Sequence, residues 1–206
     1  MSKKILHKEY YLNNDVVELS RNLLGKILCT QFDKQFSCGI IAETEAYRGP
    51  EDRASHAYGN RRTKRTEVMF QEGGRCYIYL CYGMHHLFNV VTNVEGIPHA
   101  ILIRSLLPLE GIELMAERRN KSIEDKLISR GPGTLTKALG ITTALNGFSL
   151  NSPPIWIEDR GITIPADAIE ISARIGIDYA EEDALLPWRF TISQEHVKIL
   201  SDSFSF

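Results

Sequence analysis

Between residues 43 and 89 the chain gathers two carboxylates, a histidine, a basic cluster and a row of tyrosines, in ETEAYRGPEDRASHAYGNRRTKR followed by CYIYLCYGMHHLFN. A carboxylate beside aromatic rings suits general-base chemistry on a flat or cationic substrate. Clustered Arg and Lys beside a tyrosine-tipped hairpin suit an opened nucleic-acid duplex. Alone, each feature has a bland reading: an ExE pair is a solvated strand edge, His56 a hydrogen-bonded structural histidine, Tyr77 and Tyr79 core residues, and Arg61, Arg62, Lys64 and Arg65 a solvated loop. Together they favour a site. Glu43 and Glu45 follow the apolar Ile40, Ile41 and Ala42, so the pair sits where a strand leaves the core, and buried carboxylates acquire shifted pKa values. Tyr47 and His56 can bracket a substrate from either side of Glu45. Tyr82 precedes Gly83 at a hairpin tip, where a large side chain should project and replace a base in a DNA stack.

The elements that must position these groups are legible in outline. Asp15 to Leu24 reads as a helix, capped by Asn14 or Asp15, striped by Val16, Leu19, Leu23 and Leu24, and ended by Gly25. Lys26 to Phe32 and Phe36 to Tyr47 read as paired strands around Asp33, Lys34 and Gln35. On the second strand Ile41, Glu43, Glu45 and Tyr47 share one parity and Ala42, Thr44 and Ala46 the other. Residues 48–74 have no sustained periodicity and are expected to form a long surface loop with one short helix. Arg75 to Tyr82 and Leu87 to Asn93 read as a hairpin tipped by Tyr82, Gly83, Met84 and His85. His99 to Leu107 reads as a strand, and Pro108 as the first residue of a helix with Leu109, Ile112 and Met115 inward. A second helix is expected from Gly131 and Pro132 to Gly140, and short strands near 155–158, 168–175 and 188–192 complete an α+β pattern.

The 206 residues, without a Ser/Gly/Pro-rich divider, are expected to form a single domain over 1–206. No apolar run approaches the ~20 residues of a membrane span and no secretory leader is evident, so no membrane partner and a cytoplasmic setting are expected, nucleoid-associated if the source is bacterial. Cys29, Cys38, Cys76 and Cys81 have neither zinc nor disulfide-framework spacing and read as buried free thiols. The net charge of −2 hides an asymmetry: residues 156–206 carry four basic against ten acidic residues, so the front of the chain is basic, compatible with one DNA-facing surface.

The segments IAETEAYRGPEDRASHAYGNRRTKRTEVMF, YIYLCYGMHHLFNVV, ILIRSLLPLEG, RGPGTLTKALGI and LPWRF resemble those of the alkyladenine (3-methyladenine) DNA glycosylases, in order and from about Asp15 to Phe190. The resemblance implies a single mixed domain with a curved antiparallel sheet, surrounding helices and a protruding, DNA-inserting hairpin. It implies that Glu45 is the general base for the attacking water, that Arg104 helps hold the water or the flipped nucleotide, and that Tyr47, His56, Tyr79 and Asn89 form the base pocket, with Asn89 opposing the guanine 2-amino group. Tyr82, with Gly83 and Met84, would enter the duplex, and Arg61, Arg62, Lys64 and Arg65 would meet phosphates. The activity implied is monofunctional excision of alkylated or deaminated purines from double-stranded DNA by a monomer, leaving an abasic site, with no metal or other cofactor.

That chemistry is physically coherent. An N3- or N7-alkylated purine is cationic, is attracted by tyrosine faces and is already a good leaving group. Two alternatives remain at this point: a metal-dependent hydrolase using Glu43, Glu45 and His56, and a catalytically silent nucleic-acid-binding module. The candidate substrates that the resemblance implies are 3-methyladenine, 7-methylguanine, hypoxanthine and ethenoadenine.

Overall fold

The computed structural model describes residues 4–204. It contains, in chain order, β1 (Lys4–Ile5), α1 (Lys8–Tyr11), α2 (Val16–Asn22), β2 (Ile27–Phe32), β3 (Gln35–Arg48), β4 (Arg75–Cys81), β5 (His85–Thr92), β6 (His99–Glu110), α3 (Ile112–Arg119), α4 (Pro132–Leu139), β7 (Asn151–Ser152), β8 (Ile155–Asp159), β9 (Ile169–Ser172), β10 (Arg189–Ile192) and α5 (Gln194–Phe204). The strands form one curled antiparallel sheet in the order β1-β8-β2-β3-β6-β5-β4. Its long strand β3 is shared: residues 35–40 pair with β2, residues 43–45 pair with β10, and on the opposite edge residues 38–48 pair with β6. Glu43 and Glu45 therefore lie inside the sheet, with a strand on each side.

The helices cover one face. Asp15 caps α2 by accepting from the Val17 and Glu18 amides, and Val16, Leu19, Leu23 and Leu24 join the main core with Ile40, Ile101, Ile103, Phe88 and Val90. Thr44 points to this side, where its hydroxyl donates to the Ser20 carbonyl oxygen at 2.8 Å. By strand alternation Glu43, Glu45 and Tyr47 point to the other. On that second face Tyr77, Val91 and Ala100 make a smaller core with Ala57, Met69 and Phe70.

Two irregularities sit at the carboxylates. Ile41 pairs with Leu106 and Glu43 with Ser105, which leaves Ala42 as an extra residue on β3, whereas the next step, Thr44 with Ile103, leaves Arg104 as the extra residue on β6. Bulges re-aim side chains, and these two place the Arg104 guanidinium against both carboxylates. They also correct the parity expected for Ile41, which is fully buried in the main core.

Other expectations are corrected. Pro108 does not start a helix. It pairs with Gly39 inside β6 beside a register shift, where a residue without an N–H is tolerated, and α3 begins only after Gly111, whose φ of +76° makes the turn. Residues 49–74 are a surface loop only in part: 58–65 are exposed, but the segment holds two short 3₁₀ turns, Tyr58–Asn60 and Glu67–Phe70, and buries Asp52, Ala54, Ala57, Thr66, Met69 and Phe70. The strand expected over 168–175 stops at Ser172, because Arg174 turns inward to an ion pair instead of continuing the ladder. Helix α5 was not anticipated, although Ser193 accepts from the His196 amide at its start and Val197, Leu200 and Phe204 reach the core at helical spacing. Cys29, Cys38 and Cys76 are buried free thiols, while Cys81 is half-buried. Among the described residues no helix is long and apolar enough to cross a membrane.

Candidate active site

Strands β3 and β6 supply the floor of the site. Glu45 has no exposed surface. Its Oε1 accepts from the Ile175 amide at 2.8 Å and lies 3.3 Å from an Arg104 terminal nitrogen, and its Oε2 accepts from the Tyr47 hydroxyl at 2.8 Å. Burial raises the Glu45 pKa from its ordinary value of 4.5; Arg104, the Ile175 N–H and the Tyr47 hydroxyl oppose that shift, and Glu43 adds to it. Tyr47 is itself pushed well above its ordinary range, chiefly by burial and then by Glu45, so its hydroxyl keeps its proton and donates. Glu43 accepts from Arg104 Nε at 3.0 Å and from Arg189 at 3.3 Å. The floor is thus two carboxylates interleaved with two guanidiniums.

Above it lies a cavity of about 360 Å³, lined by Tyr47, His56, Arg65, Met69, Tyr77, Tyr79, Tyr82, Leu87, Asn89, Leu102, Arg104 and Tyr179, among others. That volume lies within the ~300–1,000 Å³ of ordinary small-molecule pockets. Glu45 is one layer behind the wall: its partners Tyr47, Arg104 and Ile175 line the cavity, and the carboxylate does not. Oε1 accepts one hydrogen bond and carries the Arg104 ion pair, and Oε2 accepts one hydrogen bond, from Tyr47.

The aromatic wall comes from β4 and the 49–74 segment. His56 Nδ1 is 2.8 Å from the Tyr77 hydroxyl, and its ring stands edge-on to Tyr79 with centroids 4.7 Å apart. Its pKa is lowered to about 4, chiefly by burial and then by Arg65, so it is neutral at pH 7. Arg65 lies 3.3 Å from Nε2 and is a donor only, which makes Nε2 the acceptor and puts the ring proton on Nδ1, facing Tyr77. Tyr77 is raised to about 12 by burial. Asn89 is buried on β5 and donates to the Tyr77 carbonyl oxygen at 3.1 Å.

The rim differs in kind. Tyr82 is 89% exposed and sits at φ +50°, followed by Gly83 at +71° and Met84 at 69% exposure. A non-glycine residue at positive φ is uncommon and is held here by the hairpin turn, with the Met84 amide donating to the Cys81 carbonyl oxygen. The structure separates the four basic residues. All four are exposed, but Arg61 and Lys64 have no ion pair among the described residues. Arg62 is paired with Glu67 at 2.7 Å and stacked on Phe70. Arg65 lies over the Tyr79 ring at 4.7 Å. A second cavity, of about 400 Å³, adjoins the first and is lined by Arg53, Arg61, Arg65, Ser55, His56, Tyr58, Thr63, Thr66 and Tyr179.

The structure therefore brings Glu45, Arg104, Tyr47, His56, Tyr79, Asn89, Tyr82 and Arg65 to one site, leaves Gly83, Met84, Arg61 and Lys64 outside its cavity, and ties Arg62 to Glu67. Sequence reading missed the support behind it. Arg174 is buried and holds Asp52 through two nitrogens at 2.5 and 2.9 Å, donates to the Ala46 carbonyl oxygen, and lies 4.8 Å over the Tyr47 ring. The next residue supplies the Ile175 N–H. No local pattern signals a contact spanning 122 residues. Arg189 was within reach, since it lies in the LPWRF segment. The donor set of a metal hydrolase is not assembled: Arg104 bridges Glu43 and Glu45, His56 faces Tyr77, and no group of three His, Cys, Asp or Glu able to hold an ion occurs among the described residues.

Comparison with known proteins gives a consistent picture. The family model described as methylpurine-DNA glycosylase matches residues 10–196. A Chlamydia pneumoniae protein provisionally named 3-methyladenine DNA glycosylase is 46% identical, over 96% of this chain and 100% of its own length. Similarly named proteins of Chlamydia abortus and Desulfitobacterium hafniense are 48% and 44% identical, over 94% and 91% of this chain and 100% and 94% of theirs.

Proposed function

The chain belongs to the methylpurine-DNA glycosylase family, and from that premise we propose that it extrudes alkylated or deaminated purines from double-stranded DNA and hydrolyses their N-glycosidic bond with a water activated by Glu45. The observation that carries this reading is the buried carboxylate behind an aromatic-walled cavity of nucleobase size. A flipped purine enters between Tyr47, His56 and Tyr79, with Asn89 at its edge. Because Glu45 has no exposed surface, the water reaches Oε2 only as Tyr47 or Arg104 yields on entry of the base, and it then lies with its oxygen toward the sugar carbon.

As the bond from C1′ to the base nitrogen breaks, the bonding electrons leave with the base. Positive charge develops on the sugar, and within the matched floor the Glu45 carboxylate, which takes the water proton, is the group set to oppose it. Water oxygen then bonds to C1′ and gives its proton to Glu45, leaving a free base and an abasic hydroxyl. A raised pKa suits Glu45 to accept that proton near neutral pH. A cationic alkylpurine departs without further protonation. No lysine is required, and the product is an intact strand with an abasic site.

The aromatic Tyr82 at the rim suits insertion into the vacated stack, and Arg61 and Lys64 suit phosphate contacts. The test is release of free base from duplexes each carrying one lesion, scored against strand cleavage without added alkali. Release of at least one alkylated purine with an intact strand is the expected result. Lesion binding with no release in any duplex would favour the silent binding module instead.

A further inference from the structure

Arg65 is set apart from its basic neighbours by three contacts inward: its guanidinium stacks on Tyr79 at 4.7 Å, one nitrogen lies 3.3 Å from His56 Nε2, and it lines both cavities. Arg53 and Arg62 are ion-paired, to Glu181 and Glu67. Arg65 has no ion pair among the described residues, and the ring it touches is a neutral acceptor. An uncompensated cation thus rests on one of the aromatic faces offered to the substrate.

We propose that Arg65 is a specificity-determining residue which, by holding a positive charge against Tyr79, disfavours cationic purines relative to neutral ones. This rests on the glycosylase reading and deepens it. A tyrosine face attracts a cation through its quadrupole, but a face already carrying a guanidinium has that attraction spent. Two geometries are open to an entering purine, and both have the same sign. A base that slides between Arg65 and Tyr79 stacks directly on the guanidinium, while a base on the opposite face of the ring is separated from it by one ring thickness.

In either case two positive charges end on the order of 4–8 Å apart at the cavity rim, where Arg65 is exposed and the repulsion is screened by solvent but not abolished. A neutral deaminated purine meets no such repulsion and gains a planar guanidinium to stack on. The floor does not cancel the charge, because Glu43 and Glu45 are already matched by Arg104 and Arg189, and Asp52 by Arg174. Arg65 accordingly trades rate on the easier, cationic leaving groups for capture of the harder, neutral ones.

The experiment compares single-turnover release of 7-methylguanine, cationic in DNA, with release of hypoxanthine, neutral, from the same duplex context. The proteins are wild type, Arg65→Ala, Arg65→Gln and Arg65→Lys, each checked for folding. The ratio of cationic to neutral release should rise roughly fivefold to tenfold in the Ala and Gln variants, as expected for removal of a partly screened like charge, and stay near wild type in Lys. Rates that fall in proportion for both lesions in Ala and Gln would overturn the proposal and make Arg65 a plain phosphate contact. An equal rise in Lys would overturn the charge argument in favour of stacking. Should wild type release neither base, the catalytic reading fails separately, and the ratio of dissociation constants for the two lesion duplexes in the same proteins still decides the role of Arg65.

Discussion

The floor and the rim of the cavity are built on opposite plans. On the floor every charge is matched: Glu45 and Glu43 share Arg104, Glu43 also takes Arg189, and Asp52 takes Arg174, all on or behind central strands. At the rim Tyr82, Met84, Arg61 and Lys64 are exposed, and the basic pair has no ionic partner among the described residues. Matched, buried charges cannot rearrange cheaply and suit a reacting centre that must be preorganised. Unmatched, exposed groups cost little to redirect and suit a polyanion whose own counterions they displace. If the contrast is functional, floor substitutions alter the chemical step and its pH dependence, and rim substitutions alter capture and its salt dependence.

The largest effect belongs to Glu45. In the proposed mechanism Glu45→Gln keeps the shape of the floor and loses the proton acceptor, so single-turnover release should fall by the ~10²- to 10⁴-fold typical of a general base, while lesion-DNA affinity persists. Wild-type release should decline as pH falls through a value above the usual carboxylate range, and the variant should lack that limb. Stability gives an independent sign. A raised folded-state pKa means that the folded chain binds this proton more tightly than the unfolded chain, so the Glu45 contribution declines as pH rises from 4.5 through the raised value. Since Gln does not titrate, the Tm of the variant minus that of wild type should be more positive at pH 7 than at pH 4. Near-normal release by Glu45→Gln, with loss in Glu43→Gln, would move the base to Glu43.

Asp52→Ala attacks the floor from behind. It strands a fully buried guanidinium, and breaking such a pair costs ~3–5 kcal/mol, measurable as a lower urea midpoint at unchanged slope. Because Arg174 stacks on Tyr47 and precedes Ile175, the surviving folded protein should also lose release rate while keeping its salt dependence. A normal rate in folded Asp52→Ala would show that the floor holds its geometry without this support.

Tyr82→Ala crosses to the rim. Losing a ring that fills the vacated stack should weaken capture by ~1–3 kcal/mol, without moving the pH profile. A mispaired lesion, already poorly stacked, should suffer less than a paired one. Equal losses for both would show that Tyr82 does not report on the stack.

Legibility followed the same divide. Groups on one strand or turn could be read directly: the shared face of Glu43, Glu45 and Tyr47, the tip at Tyr82 and Gly83, and the helices over 16–22 and 132–139, whose caps and stripes are local. The pairing that sets the floor could not. Bulges at Ala42 and Arg104 leave no mark in alternation, and the bond from Arg174 to Asp52 joins segments that each look like loop. Pro108 misled because its ring suits a first helical turn as well as a strand bulge, and only the β3 register decides between them. The basic run misled by its uniformity: four similar residues have three different surroundings.

The smallest expected effect is also the one most particular to the rim. Arg61→Gln with Lys64→Gln removes two unpaired cations and touches neither an ion pair nor the wall of the aromatic cavity, Arg61 lining only the adjoining one. In log–log plots of duplex affinity against salt, each lost phosphate contact should reduce the slope by roughly 0.9, so the double variant should lose about twice that. Undamaged and lesion duplexes should weaken alike, and the ratio of cationic to neutral release should not move. Arg62→Gln should change the slope less, since its charge is already spent on Glu67. A double variant with an unaltered slope would mean that the DNA path avoids this segment. The floor would then still be the reacting centre, but its polyanion would have to enter from the hairpin side alone.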